Sequence, residues 1–82
     1  MIFMATETKI TENQLDRFKK DCSYYAEAPV TVEKVGGVLY CYGDELPIRR
    51  VEYTFRHTKD ISFGYSKQLK TWYFGLWVGN KL

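Results

Sequence analysis

The last third of the chain carries the pattern that most limits its fold. Apolar residues alternate with polar or small ones in three runs, residues 51–58, 61–66 and 72–78. A period of two is the pattern of a β-strand with one buried face. The segments between the runs are short enough to join antiparallel neighbours. The sequence therefore predicts a three-stranded antiparallel meander over this region.

The predicted register supports this meander, because a slip of one residue would turn every side chain to the other face. Short loops before and after the middle strand place apolar residues opposite apolar residues. The predicted pairs are Tyr65 with Trp72, Phe63 with Phe74, Ile61 with Leu76, Phe55 with Phe63, and Tyr53 with Tyr65.

An amphipathic helix is predicted ahead of the strands. Thr11 and Gln14 have the spacing of a capping box. The residues that follow carry one narrow apolar stripe among polar and charged positions. Pro29 ends this helix, because the residue before a proline disfavours the helical conformation. A helix with a single apolar face needs a sheet against which to bury it.

A β-hairpin is predicted between this helix and the meander. Gly36-Gly37 separates two apolar runs, residues 30–35 and 38–42, and such a dipeptide forms two-residue hairpin turns. The pairs that this turn aligns are Val32 with Cys41 and Lys34 with Leu39.

The expected fold class is α+β, with one N-terminal amphipathic helix packed on one face of a four- to five-stranded antiparallel meander sheet. A chain of 82 residues is long enough for one domain. Its aromatic content of 17% lets so short a chain bury a core with few residues. We expect residues 1–10 to form an N-terminal extension, with Met1 or Met4 as the natural start. Residues 11–82 are expected to form a single α+β domain.

The sequence contains no catalytic or cofactor pattern. Cys22 and Cys41 lack the spacing of a metal or redox motif, so we expect buried, reduced thiols in a cytoplasmic protein. His57 is the only histidine, and its place in an alternating run is typical of a half-buried strand residue. No apolar stretch is long enough to span a bilayer. We therefore expect no enzyme activity, cofactor, metal or membrane association.

The face of the predicted meander that points away from the helix is the candidate binding surface. Ser62, Gly64 and Gly75 form a strip with almost no side-chain cover. An outward tryptophan beside such a strip exposes a large apolar area, and interface centres are enriched in Trp, Tyr and Arg. The candidate contact residues are Trp77, Tyr73 and Arg56, with Tyr40 and Tyr42 as lesser candidates on the first hairpin.

This surface predicts a small non-enzymatic protein-binding module that inhibits or modulates a macromolecular partner. A phage or mobile-element factor acting in the host cytoplasm is one form of this hypothesis, and a homodimer through the same face is another. The alternative is binding of single-stranded nucleic acid or an anionic nucleotide, since such sites combine stacking rings with cations. The residues predicted for that alternative are Arg49, Arg50, Arg56, Lys67, Lys70, Tyr73 and Trp77.

Overall fold

Two helices and one four-stranded antiparallel sheet make up the fold. The computed structural model describes residues 10–78. The elements are α1 (Glu12–Ala26), β1 (Thr31–Val35), β2 (Val38–Gly43), α2 (Glu45–Thr54), β3 (Ile61–Ser66) and β4 (Thr71–Trp77). The predicted α+β class with an antiparallel sheet is confirmed. Residues 1–9 of the predicted extension, with both candidate start sites, lie outside the described residues, whereas Ile10 is buried in the core.

Helix α1 begins at the predicted capping box. The Thr11 hydroxyl accepts a hydrogen bond from the Gln14 N–H at 3.1 Å, and the Gln14 side chain accepts one from the Thr11 N–H at 2.8 Å. Two of the N–H groups that a helix start leaves without a partner are thereby satisfied. Phe18 and Cys22 of the apolar stripe are buried against the sheet, as their helical spacing predicts, and Ala26 is buried as well, whereas Tyr25 is 37% exposed.

The carboxyl end of α1 is held by the second helix. Glu27 turns the chain in the left-handed region at φ 57°, and the last turn of α1 contains no basic residue. Arg50 of α2 supplies the missing cation by donating a hydrogen bond to the Ala26 carbonyl oxygen at 3.0 Å. A positive group is favourable there because the unpaired carbonyls at a helix end carry partial negative charge. This contact joins α1 to α2.

Two of the three predicted hairpins, β1–β2 and β3–β4, form with the predicted register. Gly36 adopts φ +61° in the first turn, a conformation that glycine reaches without steric cost. The confirmed pairs are Val32 with Cys41, Lys34 with Leu39, Ile61 with Leu76, Phe63 with Phe74, and Tyr65 with Trp72.

The predicted strand over residues 51–58 is wrong, because most of this segment belongs to α2 and the turn that follows it. Ile48 and Val51 are completely buried, whereas Tyr53, which an alternating strand would turn inward, is 65% exposed. The predicted pairings of this segment with β3 are therefore absent, and residues 10–78 contain two helices rather than one. His57 lies exposed in the turn after α2, and not at the end of a strand.

The helical period explains the difference. Ile48, Val51 and Phe55 are spaced three and four residues apart, so they form one helical face as readily as the alternate residues form one strand face. Glu45 pairs with Arg49 one turn later at 2.7 Å, which supports the helical conformation. Pro47 lies in the first turn of α2, where its missing N–H leaves no helical hydrogen bond unmade.

The sheet is not a simple meander. Its strand order is β1-β2-β4-β3, so β4 lies between β2 and β3 and pairs with both. Strands β2 and β3 are consequently parallel to each other, and α2 makes the crossover between them. Leu39 pairs with Leu76 and Cys41 with Phe74 across the central β2–β4 ladder. Both helices cover this apolar inner face.

The two cysteines meet at the centre of the core. Cys22 of α1 and Cys41 of β2 are free thiols, and both are completely buried. A hydrogen bond between the two thiols and burial raise the pKa of Cys22 above its ordinary value. The protonated thiol is the stable form in such an apolar site, and protonated thiols are poor nucleophiles.

We expect both thiols to be inert toward an aromatic disulfide reagent in the folded protein and to react fully in urea. Because the pKa of Cys22 is raised in the folded state, its thiol loses the proton at a lower pH in the unfolded chain than in the folded one. The contribution of Cys22 to the free energy of unfolding is therefore fully present below the ordinary thiol pKa of about 8.5 and decreases above it. The absorbance of the thiolate released from the reagent, recorded at several urea concentrations, measures how many of the two thiols have reacted. Rapid labelling without urea would contradict the buried placement.

The helical assignment of residues 45–54 makes a second prediction. Ile48→Ala should lower the free energy of unfolding by about 2–5 kcal/mol, because it empties a fully buried site. Leu46→Ala is the matched control in the same helix, since Leu46 is mostly exposed, and should change stability by about 0.5 kcal/mol or less. Urea titrations followed by circular dichroism compare the two. Equal losses would contradict the orientation of α2.

Candidate interaction surface

The sheet face opposite the helices, here called the outer face, is the candidate site. Phe74, Cys41 and Leu39 point to the helices and are buried, so the alternate residues of the same strands point away from them. The outer-face residues are Thr31, Glu33, Val35, Val38, Tyr40, Tyr42, Ser62, Gly64, Ser66, Thr71, Tyr73, Gly75 and Trp77. The predicted contact residues Tyr40, Tyr42, Tyr73 and Trp77 all lie on this face.

Three tyrosines form a cluster in the middle of the outer face. Tyr42 is opposite Tyr73 in the central ladder, and the Tyr40 ring stacks on Tyr42 and meets the edge of Tyr73, with centroids 6.0 and 6.2 Å away. The Tyr42 hydroxyl donates a hydrogen bond to Glu33 at 2.5 Å. Burial and this hydrogen bond raise the pKa of Tyr42 above its ordinary value. The cluster is thus orientationally fixed and not a set of free rings.

Two of these tyrosines cover glycines of the neighbouring strands. A Cβ atom at Gly75 would lie 2.9 Å from Cε1 of Tyr40 and 2.7 Å from Oγ of Ser62. A Cβ atom at Gly64 would lie 3.4 Å from the hydroxyl oxygen of Tyr73. Aromatic rings that lie over strand glycines shield the exposed backbone and help to fix the register. Tyr40 and Tyr73 therefore have a structural task as well as a surface position.

A shallow depression lies between the tyrosine cluster and Trp77. Its volume is about 220 Å³. Ser62 is exposed in it and Trp77 is 40% exposed, whereas Gly75 is buried beneath the Tyr40 ring. The residues that line it are Val38, Tyr40, Asp60, Ile61, Ser62, Gly75 and Trp77. We call this feature the Trp77 depression.

The structure does not place Arg56 on the outer face. The prediction counted it among the contact residues of this face, but it follows α2 and belongs to the helical layer. Its guanidinium lies 4.7 Å from the centroid of the Tyr53 ring and 4.0 Å from the Glu52 carboxylate. The error follows from the strand that was predicted where the helix forms.

The other predicted cations are also away from the outer face. Arg49 donates to Glu45 at 2.7 Å and lies over the Trp72 ring at 5.4 Å, on the helix side of the sheet. Arg50 is bound to the end of α1. Lys67 and Lys70 lie in the β3–β4 turn, at the end of β4 opposite to Trp77. Seven strand residues separate the two ends by about 20 Å.

A groove on the helix side was not predicted. It has a volume of about 790 Å³ and lies between the end of α1 and the exposed side of α2. Its residues are Tyr24, Tyr25, Glu27, Arg49, Arg50, Tyr53 and Thr54. The adjacent Tyr24-Tyr25 pair at the end of a polar helix was the available signal in the sequence. Because both arginines already have partners within the fold, the groove offers fewer unpaired cations than its composition suggests.

Comparisons with known proteins assign no family to the chain. No protein-family model matches the chain, and neither curated proteins nor solved structures give a match. Within residues 10–78 there is no group of three or more His, Cys, Asp or Glu side chains that could hold a metal ion. The same residues form no helix with the length and apolar character of a membrane span.

The close approach at Gly75 makes a prediction about the outer face. Gly75→Ala should lower the free energy of unfolding by about 1–3 kcal/mol, because its methyl group would displace the Tyr40 ring or Ser62. Gly64→Ala is the matched control, since its methyl group meets Tyr73 at an ordinary contact distance and should cost about 0.5 kcal/mol or less. Thermal unfolding measures both. A larger loss for Gly64→Ala would contradict the described packing.

Proposed function

We propose that the protein is a small non-enzymatic binding module that docks another protein on its outer face and thereby inhibits or modulates it. The observation that carries this proposal is the partly exposed Trp77 at the border of a shallow depression that contains the exposed Ser62. A partner side chain can enter the Trp77 depression and contact both the indole and the exposed Ser62. Central aromatic residues in such pockets supply most of the energy at protein interfaces.

The rigidity of the surrounding surface supports protein recognition. The tyrosine cluster is held by ring contacts, by the hydrogen bond to Glu33 and by the glycines below it. A surface whose side chains are already ordered loses little conformational entropy when a partner binds. Val35 and Val38 extend the apolar area along the row of Trp77, and Val35 is largely exposed. Together they provide an apolar centre with a polar tyrosine border.

The charges of the outer face favour a protein over a nucleic acid. Its described residues include Glu33 and no lysine or arginine, and Asp60 lies at the border of the depression. A nucleic acid needs cations beside the stacking rings, because phosphate contacts dominate its affinity. The cations predicted for that role lie on the helices and in the β3–β4 turn instead. Nucleic-acid binding on this face therefore has less support from the geometry.

Truncation of Trp77 tests the proposal. Trp77→Ala should keep the circular dichroism spectrum of the wild type and weaken partner binding by about 2 kcal/mol or more, which is about thirtyfold. Tyr24→Ala is the control, because Tyr24 is a 77% exposed ring on the helix side. Partners are captured from extract of the source cells by wild type and both variants, identified by mass spectrometry, and then titrated as purified proteins. Loss of binding in Tyr24→Ala alone would assign the function to the helix-side groove.

Two further measurements distinguish a protein partner from a nucleic acid. In a Trp72→Phe background Trp77 is the only tryptophan, so its emission should shift to shorter wavelength when the partner covers it. Nuclease treatment and added salt should leave this shift nearly unchanged. A nucleic-acid complex would instead disappear with nuclease and weaken steeply with salt, because bound phosphates release counterions. That result would replace the proposal by the nucleic-acid alternative.

A further inference from the structure

Within the part of the chain that the structure describes, β3 is an edge strand without the usual protection. The order β1-β2-β4-β3 leaves β1 and β3 at the two edges. Strand β1 contains the charged residues Glu33 and Lys34, and α1 contacts it. The six residues of β3 include no charged residue and no proline. Natural sheets usually protect an edge with one of these devices, because unpaired strand groups bind other strands.

The hydrogen bonds between β3 and β4 show which backbone groups of β3 point to the open edge. The Trp77 N–H donates to the Asp60 carbonyl at 3.0 Å, so residue 60 and every second residue after it face β4. The backbone groups of Ile61, Phe63 and Tyr65 therefore point to the open edge. Within residues 10–78, the β3–β4 ladder and the remaining backbone hydrogen bonds leave these groups without a partner.

We propose that β3 pairs antiparallel with β3 of a second copy of the chain, which joins two sheets into one continuous sheet with a twofold axis at Phe63. Only odd-numbered residues present edge groups, so they must lie opposite odd-numbered residues. Centring the pairing on Phe63 also places Ile61 opposite Tyr65 of the second copy. Each of these opposed pairs exchanges two N–H···O bonds, and all the open groups are used.

The side chains fit the same register. On the helix side, Ile61 covers Tyr65 of the second copy, and Tyr65 is 50% exposed in the single chain. The two Phe63 rings meet at the axis, where aromatic pairs across strands are stabilising. On the outer face, Ser62 lies opposite Gly64, and neither side chain is large enough to obstruct the approach. The strand is thus complementary to itself in hydrogen bonds and in shape.

Sedimentation velocity from micromolar to millimolar concentration tests the proposal. The wild type should approach twice its chain mass of 9.7 kDa. Tyr65→Pro removes an edge N–H that the single chain does not use, and should raise the dimer dissociation constant at least tenfold. Tyr65→Thr is the matched control, because it loses the ring but keeps the N–H, and should weaken the dimer less. A wild type that stays monomeric at millimolar concentration would overturn the proposal.

Amide hydrogen exchange of the wild type provides a measurement that does not depend on a variant. The amides of Ile61, Phe63 and Tyr65 should exchange rapidly in dilute protein and slowly at high concentration. Those of Ser62 and Gly64 should be protected at both concentrations, because they bond to β4. A dimer in which the odd-numbered amides still exchange rapidly, or one that Trp77→Ala dissociates and Tyr65→Pro does not, would place the contact on the outer face and refute strand pairing.

Discussion

The pairing of β2 with β4 is the constraint on which the rest of the structure depends. It brings Cys41 opposite Phe74 in the centre of the sheet, where both side chains are completely buried. Both helices pack on this row, and Cys22 of α1 reaches the Cys41 thiol. Because side chains alternate along a strand, the same ladder decides which residues lie on the outer face. One strand register therefore determines both which residues form the core and which form the candidate site.

That register assigns different tasks to residues of similar chemistry. Tyr40 and Tyr73 cover Gly75 and Gly64, so much of their ring surface already stabilises the sheet. Trp77 lies past the last of these glycines, and its indole is free to contact a partner on one side. Composition alone would rank these aromatic residues together. The distinction between a ring that shields backbone and one that can bind comes from the neighbours across the strands.

Local patterns predicted more of this structure than long-range ones. The α1 capping box and both hairpin registers follow from residues within about fifteen positions, where turn type and alternation determine the pairing. The apolar residues around Val51 fit both a strand period and a helical period. The helical period is favoured because it buries Ile48 and Val51 against the sheet, which is a long-range contact. The β2–β4 ladder joins strands separated by α2 and β3, so no local signal specifies it. The Tyr42–Tyr73 pair was missed for this reason, whereas Arg56 was misplaced because a strand was predicted where α2 forms.

The basic residues of the described chain lie away from the outer face. Basic residues are concentrated after residue 45 in the sequence, and those within the described residues lie on α2, in the segment between α2 and β3, and in the β3–β4 turn. Several of them hold the fold together, as Arg50 does at the end of α1. The outer face instead offers apolar and aromatic groups in fixed positions. The acidic and basic residues of α1 and α2 are equal in number, so the helices have no excess positive charge to attract an acidic molecule, and specific contact at Trp77 depends on shape and apolar area.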